Sequence, residues 1–114
     1  MPTRYHITLP DPELARGPEP SLSFTASGAD AFAAELRAAL ADPSWIARWR
    51  ALQDDPEEID PAVLVLDPAA SVGGAQRSLK IDLTVVTALP GSLLRHRMGL
   101  LAGNNWQLRD VTAV

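Results

Sequence analysis

A chain of 114 residues with 46% hydrophobic and 21% charged side chains has the length of one domain and enough apolar content for its own core. Without cysteine it has no disulfide, thiol nucleophile or thiolate metal site, and a net charge of −4 argues against general binding to nucleic acid or anionic membranes. No apolar run approaches the ~18 residues that span a bilayer. The opening MPTRYHITLPDPE has no basic stretch leading into an apolar one, so the cytoplasm is the expected location. Charge is unevenly spread: residues 1–67 hold 12 acids and 5 bases, residues 68–114 hold 2 and 5. Two readings stay open for the basic part, solvated charge mixed by folding or a face made by the last helix and its neighbouring loop.

In chain order, Arg4 to Leu9 alternates, with Tyr5, Ile7 and Leu9 on one face, and predicts a half-buried strand. Pro10 to Pro20 is proline-rich and reads as a loop; Ser21 to Thr25 is a short strand candidate with Leu22 and Phe24 pointing one way. Ser27-Gly28-Ala29-Asp30 fits a capping box. The helix it opens carries Phe32, Ala33, Leu36, Ala39 and Leu40 on one stripe. Asp42-Pro43 restarts the helix, because Asp caps well and Pro suits the first helical position. Trp45, Ile46, Trp49 and Leu52 form the new apolar stripe, and the acidic run from Asp54 to Glu58 ends it.

Ala62 to Leu66 is apolar on both faces, the mark of a central strand. Asp67 to Ser78, with Pro68, Gly73 and Gly74, reads as a loop. Lys80 to Ala88 is an alternating β-branched strand, Pro90-Gly91 breaks it, Leu93 to Ala102 has helical spacing, and Trp106 to Val114 is extended. From residue 21 the order is β-α-α-β-β-α-β. Counting the two helical pieces as one layer, this is a single α+β domain over residues 1–114. It is a ferredoxin-like βαββαβ sandwich with Arg4–Leu9 as an extra N-terminal strand.

Pro90-Gly91 at a helix start exposes backbone N–H groups, a natural place for a small anion. Within residues 84–114, the Pro-Gly follows a β-branched strand, Leu93-Leu94 follow it, Gly103-Asn104-Asn105 supply a turn, and Trp106–Val111 return as a strand. This segment resembles the first β-α-β of an ACT domain, a βαββαβ regulatory fold that typically binds amino acids at a dimer interface. Ala88-Leu89 stand where that family has an acid and a base, and the unit comes last rather than first. The resemblance implies an amino-acid-like or anionic ligand near Pro90-Gly91. Ser92 and the neighbouring N–H groups would bind its anionic group, with Arg97 as the side-chain contact.

Arg97 falls in the apolar arc of its helix. Either its stem packs while its head snorkels or pairs with Asp82 or Asp110, or its fork grips a carboxylate or phosphate. Trp45 and Trp49, one turn apart, are core residues or, with Arg48, a partner-binding edge. Ser71 to Ser78 lacks the Gly-Lys-Ser/Thr of a P-loop, and the acidic run Asp54–Asp60 lacks the glycine and glutamate of a calcium loop. His6 and His96 have no metal-ligand spacing, and no nucleophile elbow is present. Lys80–Ala88 lacks the aromatic residues of an RNA-recognition strand. No catalytic residue, metal or cofactor is therefore expected. The leading expectation is a non-catalytic interaction or accessory module, homodimeric, using a sheet edge or the Trp45/Trp49 helix. The ligand-binding regulatory module is the alternative.

Overall fold

Alternation at the two ends of the chain becomes one antiparallel sheet. The computed structural model describes residues 2–114. Its elements are β1 (Thr3–Leu9), α1 (Ala29–Ala41), α2 (Pro43–Ala51), β2 (Ser71–Arg77), β3 (Lys80–Thr87), α3 (Gly91–Ala102) and β4 (Gln107–Ala113). The sheet order is β2-β3-β1-β4, every neighbouring pair antiparallel. β1 and β2 therefore run the same way on either side of β3 and are joined through α1 and α2. β3 and β4 run the same way on either side of β1 and are joined through α3. The helices cover one face, where Ile7, Leu83 and Val85 of the sheet share one buried cluster with Phe32, Leu36 and Met98. Among the described residues no helix is long and apolar enough to cross a membrane.

Several expectations are corrected. The Arg4–Leu9 strand is not an addition to the sheet. It lies inside it, paired with β3 from Thr3↔Thr87 to Leu9↔Ile81 and with β4 on its other side, because Tyr5, Ile7 and Leu9 must sit under the helices. Ser21–Thr25 buries Leu22 and Phe24 as its alternation requires but is not a strand. Its Leu22 and Ser23 N–H groups donate back to Glu19 O, and Phe24 N donates to Leu101 O of α3. Ala62–Leu66 is not a strand either. Pro61–Leu64 is a 3-10 turn whose start is capped by Asp60, which accepts from Ala62 N at 3.0 Å. Ser71–Arg77, expected as loop, is a strand along its whole length. One of its two glycines is there for packing: a Cβ on Gly74 would lie 2.3 Å from Ala29 O at the start of α1, whereas one on Gly73 would meet nothing within 4 Å.

The capping box at Ser27 does not form. Gly28 is the N-cap and no side chain caps it. Glu35, the seventh residue of α1, holds the approach instead, accepting from Thr25 N at 2.9 Å, Thr25 Oγ1 at 2.7 Å and Ala26 N at 2.9 Å. The second start is as expected: Asp42 accepts from Ser44 N at 2.8 Å and Ser44 Oγ at 2.9 Å. α3 ends at Gly103 with φ of 64°, a left-handed conformation that glycine adopts without strain.

Candidate functional site

The helices leave the second face of the sheet uncovered. Side chains alternate across a strand, so burial of Tyr5, Ile7 and Leu9 turns Arg4, His6 and Thr8 outward. Through the register the same face receives Val86, Thr84 and Asp82 of β3, Ser71, Gly73, Ala75 and Arg77 of β2, and Asp110 and Thr112 of β4. Between His6 and Ile7 the β1–β4 register shifts, from His6↔Asp110 to Ile7↔Leu108. Arg109 is the extra residue of this bulge. Bulges re-aim side chains, and Arg109 lines an open hollow of about 340 Å³ with His6, Thr8, Arg77, Asp82 and Thr84.

Asp82 organises the hollow. It accepts from Thr8 Oγ1 at 2.8 Å, Arg77 Nε at 2.6 Å and Arg77 Nη2 at 3.2 Å. The Arg77 guanidinium first, and the Thr8 hydroxyl second, hold its carboxyl below the ordinary value of 3.8. This is the one ion pair among the described residues. Arg109 makes only a 3.2 Å bond to Gln107 Oε1. Thr112 Oγ1, across from Arg4, is buried without a hydrogen-bond partner.

The two edges of the sheet differ. On β4 the bulge and the Arg109-Asp110 pair interrupt the strand, and Asp110 Oδ1 takes the Val111 N–H at 2.9 Å. Charges, bulges and self-capping are the devices that stop an edge from pairing with another chain. β2 has none of these. It pairs with β3 from Ser71 to Arg77 without a bulge, contains no proline, and points its one charge, Arg77, back onto Asp82. Just past it Leu79 is 83% exposed.

Of the residues singled out in the sequence, Trp45 and Arg48 line one hollow together, while Arg97 does not join Pro90-Gly91. Pro90 is the N-cap of α3, and its carbonyl accepts from Leu93 N and Leu94 N. Gly91 faces the Tyr5 hydroxyl, and Ser92 is exposed. Arg97 is 0% exposed, so it neither snorkels nor reaches a ligand at Pro90-Gly91. Its Nη1 donates to Ala39 O at 3.2 Å, and its Nη2 donates to Val63 O at 3.1 Å and to Val65 O. Burial away from any carboxylate pushes its pKa down. Trp45 and Trp49, at 3% and 8% exposure, belong to the core. Trp49 meets the His96 ring edge-on at 5.4 Å, and burial, then Arg97, lowers the His96 pKa. Arg48 is exposed and donates weakly to Ser21 O at 3.4 Å and Ser44 O at 3.5 Å.

Sequence reasoning missed Asp67, whose only signal was an Asp-Pro pair at a turn. Its carboxylate accepts from Thr87 Oγ1 at 2.8 Å, Ala88 N at 2.9 Å and Ala69 N at 3.1 Å, while Leu89 N donates to Thr87 Oγ1 at 3.1 Å. The chain's own acid thus engages the turn before Pro90-Gly91. The Ala88 N–H chiefly holds Asp67 below the ordinary 3.8, against a smaller opposing effect of burial. A carboxyl whose pKa is lower folded than unfolded binds fewer protons in the native state, so stability rises with pH across that window. Its contribution is complete above 3.8 and disappears as the pH falls through the lower folded value. Urea midpoints at neutral pH and near pH 3 should show wild type losing more stability on acidification than Asp67→Asn; equal losses would remove this role.

Among the described residues no three or more His, Asp or Glu side chains gather as a metal site. No protein-family model, curated protein or solved structure matches the chain.

Proposed function

We propose that this chain is a non-catalytic protein-interaction module of the ferredoxin-like plan, acting in the cytoplasm as a homodimer formed through β2. The strand order and the two split β-α-β connections support that plan. The observation that carries the dimer is the asymmetry of the edges: β4 is guarded and β2 is not. Two β2 strands pairing antiparallel about Gly74 would set small residues against small residues, Gly73 facing Ala75 of the second copy. The same pairing brings the hairpin tip beyond β2, with Lys80, beside the chain that enters β2 in the other copy. That entry is acidic, from Asp54 to Asp67. Opposite charges therefore meet twice.

A non-catalytic role agrees with the placement of the histidines, His6 on the open face and His96 against Trp49 in the helical layer. The small-ligand reading at Pro90-Gly91 is weaker, because Arg97 is committed to carbonyls and the Ala88 and Leu89 N–H groups are already engaged.

Stable dimers bury about 800 Å² per partner, more than one strand edge supplies, so the charged ends have to contribute. Light scattering should give a dimer that weakens with salt and with Lys80→Glu, and hydrogen exchange at residues 71–77 should slow as protein concentration rises. A monomer at every concentration, or a dimer with no added protection in β2, would overturn the proposal.

A further inference from the structure

We propose that the open face of the sheet is a binding site for a phosphate-bearing small molecule, held between Arg77 and Arg109 over His6 and Thr84. This goes beyond the dimer reading and does not depend on it, since β2 pairs through its edge and the site lies on the face.

Charge is the first argument. The face collects Arg4, Arg77, Lys80 and Arg109 against Asp82 and Asp110, a positive surface on a chain whose net charge is −4. Arg77 and Thr8 already neutralise Asp82, the acid lining the hollow. Asp110 spends one oxygen on the Val111 N–H.

Preorganisation is the second argument. Arg77 is fixed by two bonds to Asp82, at 2.6 and 3.2 Å. An Arg locked by a neighbouring acid loses little freedom when a ligand arrives and keeps donors to spare, since a guanidinium has five N–H groups. Arg109 has no acid partner among the described residues. The bulge aims it into the hollow, where its charge is felt at Asp82. The hollow's floor adds the His6 ring and the Thr84 hydroxyl, neither of which is engaged in a hydrogen bond among the described residues.

Donor number and charge set the ligand class. Arg77 holds its guanidinium over β3, and Arg109 rises from β4, with β1 between them, and both line the same hollow. A single carboxylate brings two acceptor oxygens and one charge to two forks. A phosphate or diphosphate group offers several acceptor oxygens and more than one charge, and guanidinium forks match that geometry. An RNA strand is disfavoured, because no Phe, Tyr or Trp stands among the outward residues and His6 alone offers a ring to stack a base.

Calorimetric titration of the whole protein with inorganic phosphate and pyrophosphate, in chloride buffer, tests the site. Saturable binding is expected, tighter for pyrophosphate. Arg109→Gln is expected to weaken it at least about tenfold with an unchanged melting temperature, whereas Arg95→Gln, on the exposed side of α3, leaves it as in wild type. No saturable binding, or wild-type affinity in Arg109→Gln, would overturn the site. Citrate binding as tightly as pyrophosphate would overturn the assignment to phosphate, as would binding of a short RNA without binding of pyrophosphate.

Discussion

Arg97→Ala is expected to lower stability by about 3–5 kcal/mol, from three carbonyls left without a donor and a cavity in the core. Against a typical total of about 5–15 kcal/mol that is a loss the protein survives poorly. The carbonyls belong to Ala39 at the end of α1 and to Val63 and Val65 in the segment leading to β2. One side chain thus ties α3 to two stretches that no strand ladder holds. A buried Arg without a carboxylate has a large desolvation cost, and its Nε remains unpartnered. Replacing a buried charge by an apolar group of similar size is often neutral, so Arg97→Met separates the two contributions. Met fills the volume and removes the charge but leaves the carbonyls bare. Urea unfolding should rank wild type above Met and Met above Ala. A Met variant as stable as wild type would show that volume alone matters and that the three hydrogen bonds contribute nothing net.

Gly17→Ala is expected to destabilise at or beyond the upper end of the about 1–3 kcal/mol seen for overpacked sites. A Cβ there would sit 1.9 Å from Leu100 O, with the Leu100 carbonyl carbon at 2.8 Å. Both obstacles are backbone, and neither can rotate away. The proline-rich loop would have to lift off α3, pulling on the bond from Gly17 N to Ser23 Oγ at 2.9 Å. Gly74→Ala meets the same problem 2.3 Å from Ala29 O, between β2 and α1. Gly73 is the internal control. One residue away on the same strand, its Cβ would meet nothing within 4 Å, so Gly73→Ala should fall within about 0.5 kcal/mol of wild type. It should even gain slightly, because glycine in a strand loses more conformational freedom on folding. Thermal unfolding of the three variants checks this. Equal losses at Gly73 and Gly74 would mean that general strand weakening, not the close approach of α1, accounts for both.

The elements legible in the sequence were those whose side chains carry a period. The alternation of Arg4–Leu9 and Lys80–Ala88 and the helical stripes around Phe32, Trp45 and Leu94 all became the elements they predicted. The Asp42 cap did too, because a cap is made within a few residues. What failed were segments whose state is set by a distant partner. Ala62–Leu66 looks like a central strand, yet Arg97 takes two of its neighbouring carbonyls and leaves it outside the sheet. Ser71–Arg77 looks like a loop, yet seven residues of β3 accept it as a strand. Gly74 there records a helix passing close by, which its own neighbours do not reveal.

The same division holds for the site. Sequence placed Arg97 on an apolar arc, but whether an Arg in such an arc faces a ligand or three carbonyls depends on residues 34 and 58 positions away. His6, Asp82 and Arg109 carry no motif, because the spacing that joins them is across strands. By itself the amino-acid sequence determined the helices, the strands β1, β3 and β4 and the aliphatic core, since those follow from local propensity and periodic burial. Only the tertiary structure decided which strands lie at the edges, which face stays open and which charges meet on it. Those are outcomes of strand order and register, and both are set by contacts between residues far apart in the chain.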